Sequence, residues 1–214
     1  MHTIAHVENF LDNIEKYYSK KISTYGTQAT GVDWNSTEGQ KTRFSQLCKI
    51  IANDHLRFSI NDVGCGYGAL VEFLTKNYPA FSYYGNDICK EMISAANDLH
   101  KCRNNVFFSQ SEFSLNRCDY SIASGVFNVR LDKSDQEWLS YIITTLDQMF
   151  SNSSLGFSFN CLTTSCDASK KRKYLYYAEP RQMLEICKQR YSNQLTILQN
   201  YGLYEFTILV RTKL

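Results

Sequence analysis

The run from Phe58 to Leu70, FSINDVGCGYGAL, constrains the fold of this chain more than any other segment. A short apolar stretch ends on an acid and passes directly into a glycine-rich turn. Ala69, Leu70, Phe73 and Leu74 then follow at helical spacing. A helix that starts there leaves its first amides unpaired and aimed back at the turn. Glycine permits positive φ and removes the Cβ that would hold a ligand away from the backbone. The segment therefore reads as half of a mononucleotide-binding unit, with Asp62, Gly64, Cys65, Gly66, Tyr67 and Gly68 as ligand contacts.

About twenty residues further on, FSYYGND (Phe81 to Asp87) reads as a second strand ending in an acid, placed where a carboxylate accepts both hydroxyls of a ribose. Ile88 follows it in the same turn. The two motifs together predict an adenosine-containing cofactor. Gly64, Gly66 and Ala69 also satisfy the G-x-G-x-x-A dinucleotide fingerprint, so NAD or FAD stays open on the glycines alone. Asp62 favours another ligand. A carboxylate beside a pyrophosphate is repelled by about 1 kcal/mol in water and about 4 kcal/mol at an effective dielectric near 20. S-adenosylmethionine has no phosphate, and its ammonium and sulfonium both gain from a nearby carboxylate.

At these residues the chain resembles the class I S-adenosylmethionine-dependent methyltransferases, of the Rossmann-like superfamily and small-molecule type. DVGCGYG is similar to the first motif of that family, YYGNDICKEMI to its second and CDYSIASGVFN (Cys118 to Asn128) to its fourth. The resemblance covers roughly residues 36 to 214 and implies S-adenosyl-L-methionine as cofactor, with Asp87 on the ribose. It also implies that Ser124, Gly125, Phe127 and Asn128, after the fourth strand, lie near the transferable methyl. In the SQSEF segment after the third strand, Gln110, Ser111 or Glu112 would meet the adenine; an acid is the family-like choice there. An NAD(P)-binding oxidoreductase and a non-catalytic S-adenosylmethionine-binding protein remain the alternatives.

The rest of the chain alternates as a doubly wound α/β sheet requires. Val106 to Ser109, Asp119 to Ser124 and Leu155 to Cys161 read as the third to fifth strands. Ser134 and Glu137 form a capping box ahead of Trp138, Leu139, Ile142, Leu146, Met149 and Phe150 at helical spacing. Pro180 opens a last helix. Gln194 to Tyr201 and Leu203 to Thr212 are too close for a helical crossover and should form an antiparallel hairpin. By the resemblance the sheet is mostly parallel and seven-stranded, in the order 3-2-1-4-5-7-6 with strand 7 antiparallel. At 214 residues without a Pro/Gly/Ser-rich linker, a single domain is expected: residues 1–35 as N-terminal helix and lid, residues 36–214 as core.

Upstream, Ile4, Val7, Leu11, Ile14 and Tyr18 predict one amphipathic helix. A second should start near Asn35, with Glu38 three residues on, and bury Phe44, Leu47, Cys48 and Ile51. The linker YGTQATGVDWN between them, Tyr25 to Asn35, sits where methyltransferases of this type place a lid. Tyr25, Trp34, Arg43, Asn160, Tyr176 and Tyr177 are candidate acceptor contacts, and Gln40 could share the same cavity. Asn128, Asp33 and Glu179 are the catalytic candidates; Glu179 is equally suited to cap the helix at Pro180. His2, His6, His55 and His100 are expected to be exposed rather than catalytic.

A net charge of +2 is too small to imply a polyanionic partner, and Lys170, Lys171, Arg172 and Lys173 read as a solvated loop. An Asn-Pro-Pro-Tyr-like segment, typical of adenine N-methyltransferases, is replaced by SGVF. The expected partner is a small-molecule acceptor, with no nucleic acid, no membrane and no metal, in a monomer or homodimer. Cys48, Cys65, Cys89, Cys102, Cys118, Cys161, Cys166 and Cys187 show no C-x-x-C pair or metal-ligand spacing. With no signal-like start and no apolar run of about 18 residues, a cytoplasmic location is expected.

Overall fold

The computed structural model describes residues 2–52, 56–112 and 115–212, with side chains from residue 11 onward. The side chains of His2, Ile4, His6 and Val7, and residue His55, lie outside the described residues. The strands are β1 (Phe58–Val63), β2 (Phe81–Asp87), β3 (Val106–Gln110), β4 (Cys118–Ala123), β5 (Ser153–Thr163), β6 (Tyr177–Ala178), β7 (Leu195–Leu198) and β8 (Glu205–Arg211). The helices are α1 (His2–Tyr25), α2 (Thr37–Leu47), α3 (Ala69–Asn77), α4 (Lys90–His100), α5 (Asp135–Ser151) and α6 (Pro180–Arg190), with a 3₁₀ turn at Ala29–Val32.

One sheet runs β3-β2-β1-β4-β5-β8-β7, with β6 paired to β5 off that path. All pairings are parallel except those of β8, which is antiparallel to both β5 and β7. The expected order holds, with the hairpin strands now β7 and β8. The difference from seven strands is β6: β5 runs on past Cys161, so that Leu162 and Thr163 pair with Tyr177 and Ala178. The hairpin arms are shorter than expected. Asn200 and Gly202 both take positive φ, at 59° and 82°, so the chain reverses over several residues and not at Gly202 alone.

Apolar residues cover both faces of the sheet, as parallel strands flanked by helices require. Alternation along β8 shows the division: Phe206, Ile208 and Val210 join the layer under α5 and α6, while Leu209 joins the layer under α2 and α3. The second helix begins one residue later than expected, with Ser36 as its cap, and Phe44, Leu47, Cys48 and Ile51 are all buried. On α5, Trp138, Ile142, Leu146 and Met149 are at most 1% exposed. Burying a large apolar side chain contributes about 1.5–3 kcal/mol, so this stripe holds the helix in place. Its cap sets where the helix begins: Ser134 Oγ accepts the Glu137 N–H and the Glu137 carboxylate accepts the Ser134 N–H.

Among the described residues, no helix is long and apolar enough to cross a membrane. His100 departs from the expected exposure. It is 4% exposed, stacks on Phe108, and its Nε2 lies 3.1 Å from the Gly68 carbonyl, so the C-terminal end of α4 packs against the glycine turn.

Replacing Ser134 with Ala should cost about 1 kcal/mol and lower the thermal midpoint by roughly 2–4 °C without altering the far-UV circular dichroism spectrum. A midpoint equal to that of the parent protein would mean that the capping box does not stabilise α5.

Candidate active site

A cavity with about 950 Å³ between its walls, partly open to solvent, lies at the carboxyl ends of β1, β2, β3 and β4. Ligands of open α/β sheets bind at this edge, where the strand order reverses direction. The turn after β1 supplies Gly64, Cys65, Gly66 and Tyr67; the end of β2 supplies Asn86, Asp87 and Ile88. Ser111 and Glu112 follow β3, and Ser124, Gly125 and Val126 follow β4. The remaining wall comes from the N-terminal segment through Ile14, Tyr18, Val32 and Trp34, with Gln40 and Phe44 from α2.

The glycine turn is tied to β2 by hydrogen bonds. Gly66 N–H donates to Asp87 Oδ2 at 2.9 Å, and Cys89 N–H to Asp87 Oδ1 at 2.9 Å. Gly66 has φ of 55°, and a Cβ there would sit 2.8 Å from the Val32 side chain, so the turn and the 3₁₀ segment meet with no room for a methyl group. At Gly125 (φ 77°) the space for a Cβ is filled by the Trp34 ring.

Asp62 is 3% exposed and accepts the Tyr83 hydroxyl at 2.6 Å. Burial pushes its carboxyl up to about 7 against the opposing Tyr83 hydrogen bond, and Asp87 adds to the rise. Burial likewise raises Glu112 to about 7, and raises Asp87 in spite of its backbone donors. Among the described residues the cavity lining thus carries three carboxyl groups, Asp62, Asp87 and Glu112, and no Lys, Arg or His. Four buried polar atoms on lining residues have no partner among the described residues: Asn86 Oδ1, Ser111 Oγ, Glu112 Oε1 and Ser124 Oγ. Buried polar atoms are normally paired. An adenosyl ligand with a cationic end supplies donors for such acceptors, so these residues fit one.

A family described as "Methyltransferase domain" matches residues 60–149. The "Putative methyltransferase Rv1506c" of Mycobacterium tuberculosis (strain ATCC 25618 / H37Rv) is 50% identical over 154 residues, which are 72% of this chain and 93% of that protein. The chain belongs to the methyltransferase family. Its fold is shared by DhpI, solved with S-adenosylhomocysteine (TM-score 0.65, 14% identity, 95% of this chain and 97% of that one). It is shared also by the N-methyltransferase NodS from Bradyrhizobium japonicum WM9, solved with the same ligand (TM-score 0.64, 15% identity, 92% and 97%). Membership of a methyltransferase family speaks against the dinucleotide reading of the glycines.

Of the residues expected to contact the cofactor, this methyltransferase brings Asp62, Gly64, Cys65, Gly66, Tyr67, Asp87, Ile88, Ser111, Ser124 and Gly125 into the cavity lining. Gly68, Gln110 and Phe127 are not in it. Gly68 is the left-handed residue that opens α3, the Gln110 amide donates to the Ile88 carbonyl, and Phe127 is fully buried edge-on to Phe159.

Of the expected acceptor contacts only Trp34 lines the cavity. Tyr25 is 48% exposed with Lys21 Nζ 5.9 Å from its ring. Arg43 and Asn160 are buried and bonded to Glu205. Tyr176 is buried, with its amide on the Asn128 carbonyl, and Tyr177 hydroxyl accepts the Arg172 N–H.

The catalytic candidates also lie outside the lining. Asp33 accepts Tyr17 hydroxyl at 2.6 Å and Lys21 Nζ at 2.5 Å, which ties the segment after α1 back to that helix. Glu179 caps α6 by accepting the Gln182 N–H. Asn128 is 5% exposed, and its Oδ1 has no partner among the described residues. The sequence reading did not anticipate Asn86, Met92, Trp138 and Tyr141 in the wall. Asn86, as the neighbour of Asp87, was the one within reach of a motif; the others sit at helical core positions that look like plain packing.

A protonated Asp62 attracts a cation less than an ionised one, so cofactor binding should expel a proton and weaken as the pH falls through about 7. Calorimetry should give a roughly tenfold loss of affinity from about pH 7.5 to about pH 6, a window in which an α-ammonium stays mostly protonated. Asp62→Asn should flatten that profile; an unchanged pH dependence in the variant would assign the proton elsewhere.

Proposed function

We propose that this methyltransferase acts on a small-molecule acceptor. The observation that carries this reading is the lining of the cavity. Ile14, Tyr18, Val32 and Trp34 join the glycine turn and the end of β4 in lining a cavity that is only partly open to solvent, which favours an acceptor small enough to enter it. The absence of Lys, Arg and His among the described lining residues further disfavours a polyanionic acceptor. The magnesium protoporphyrin IX methyltransferase ChlM from Synechocystis PCC 6803, whose named acceptor is a small molecule, shares the fold.

Bound S-adenosylmethionine supplies a methyl group on a sulfonium. Asp87 would hold the ribose hydroxyls, Asp62 would compensate the cationic end, and Ser111 and Glu112 would meet the base. Ser124 and Gly125 would flank the methionine portion, next to the reacting methyl. Asn128 lies outside the lining and would act only through its backbone, which is bonded to Gly125 and Tyr176. Methyl transfer neutralises positive charge, so orientation can supply much of the rate; alignment of donor and acceptor is worth up to about 7–11 kcal/mol.

S-adenosylhomocysteine at a hundred times its dissociation constant should stabilise the protein by about 2.7 kcal/mol, a rise of roughly 5–10 °C in the thermal midpoint. Asp87→Ala should lose most of that rise while keeping the unliganded midpoint within a few degrees. Release of S-adenosylhomocysteine should follow addition of a low-molecular-weight cell filtrate, and not of nucleic acid or protein. Turnover with macromolecular fractions alone would overturn the small-molecule reading.

A further inference from the structure

Glu205, the first residue of β8, belongs to no motif, yet it is the hub of a buried polar cluster. Its side chain is 1% exposed. It accepts Arg43 Nε at 2.9 Å, Arg43 Nη2 at 2.5 Å and Asn160 Nδ2 at 2.6 Å. Replacing such a pair with apolar groups is often neutral or stabilising, so stability alone gives little reason for it. Its two arms end at the same place. Asn160 Oδ1 accepts the Gly125 N–H at 2.8 Å. The Arg43 guanidinium carbon lies 3.7 Å from the centroid of the Trp34 ring, and that ring fills the space beside Gly125. Trp34 and Gly125 both line the cofactor cavity.

We propose that Glu205 is a positioning residue for methyl transfer. Through Asn160 it fixes the Gly125 backbone, and through Arg43 it holds the Trp34 ring against that backbone, which sets the cavity wall where donor and acceptor meet. The proposal rests on reading the Gly125 segment as the part of the wall next to the reacting methyl. Arginine is required at position 43 because its planar fork bonds Glu205 in two places and also stacks on Trp34; lysine carries the charge but does neither.

Two tryptophans make the arrangement directly observable. In protein labelled with 5-fluorotryptophan, Trp34→Phe identifies the Trp34 fluorine resonance, and Trp138 serves as internal reference. In R43L/E205L the Trp34 line should move towards its solvent-exposed position while the Trp138 line stays, and the affinity for S-adenosylhomocysteine should fall about tenfold. R43K should behave the same way, although a mere charge pair would survive that change. Asn160→Ala, which leaves Arg43 and Glu205 paired, should also lose about tenfold in affinity, and it carries the test if R43L/E205L does not fold. A folded R43L/E205L with an unmoved Trp34 line and affinity within twofold of the parent would overturn the proposal, as would an unchanged affinity in Asn160→Ala. The fluorine readout needs no ligand. A Trp34 line that responds to R43L/E205L in a protein with no turnover on small molecules would therefore fail the acceptor reading and leave the wall intact.

Discussion

Parallel pairing of β1 with β2 on one side and β4 on the other is the constraint on which the site depends. Connections from neighbouring strands leave a doubly wound sheet on opposite faces, so a crevice opens where the direction of winding reverses. β1 ends there. Its glycine turn, the acid at the end of β2 and the segment after β4 converge because register sets Val63 beside Asn86 and Ala123. A slip of one residue in either pairing would turn Asp62 or Asp87 to the opposite face of the sheet.

The electrostatics of that crevice suit a cationic ligand. Among the described residues three carboxyl groups line it with no basic side chain to offset them, and burial holds Asp62 and Glu112 near the border of ionisation at neutral pH. A buried carboxylate is costly in the absence of a partner. Tyr83 gives Asp62 one hydrogen bond, and a cofactor with positive charge at its reactive end supplies what that bond leaves over.

The rest of the wall comes from the other end of the chain. The first helix contributes Ile14 and Tyr18 to it, and Asp33 ties the segment after α1 back to that helix through Tyr17 and Lys21. On the far side that segment rests on α2, where Arg43 stacks on Trp34. Asp33, a residue with the chemistry of a base, is thus engaged in holding that segment. A carboxylate already accepting a phenol and an ammonium has little capacity to take a proton from a substrate.

The short-range signals were legible in the chain: the glycine turn, Asp87, the Ser134–Glu137 box and the closely spaced hairpin all lie within a few residues of the structure they specify. Hydrophobic periodicity placed the helices and strands, and the alternation of strand and helix determined the parallel sheet, because these depend on local geometry and on which face is apolar. β6 was not legible, since a two-residue strand has no periodicity and exists only because β5 runs past Cys161 to meet it. Arg43, Asn160, Tyr176 and Tyr177 were recognisable as residues near the rim, but their roles were not. Arg43 and Glu205 stand 162 positions apart, and nothing in either neighbourhood announces the other. Sequence alone therefore determined the fold class and the glycine turn after β1. Tertiary structure decided which polar side chains face the cavity and which are spent on one another, because a buried charge takes whatever partner packing brings within hydrogen-bond reach.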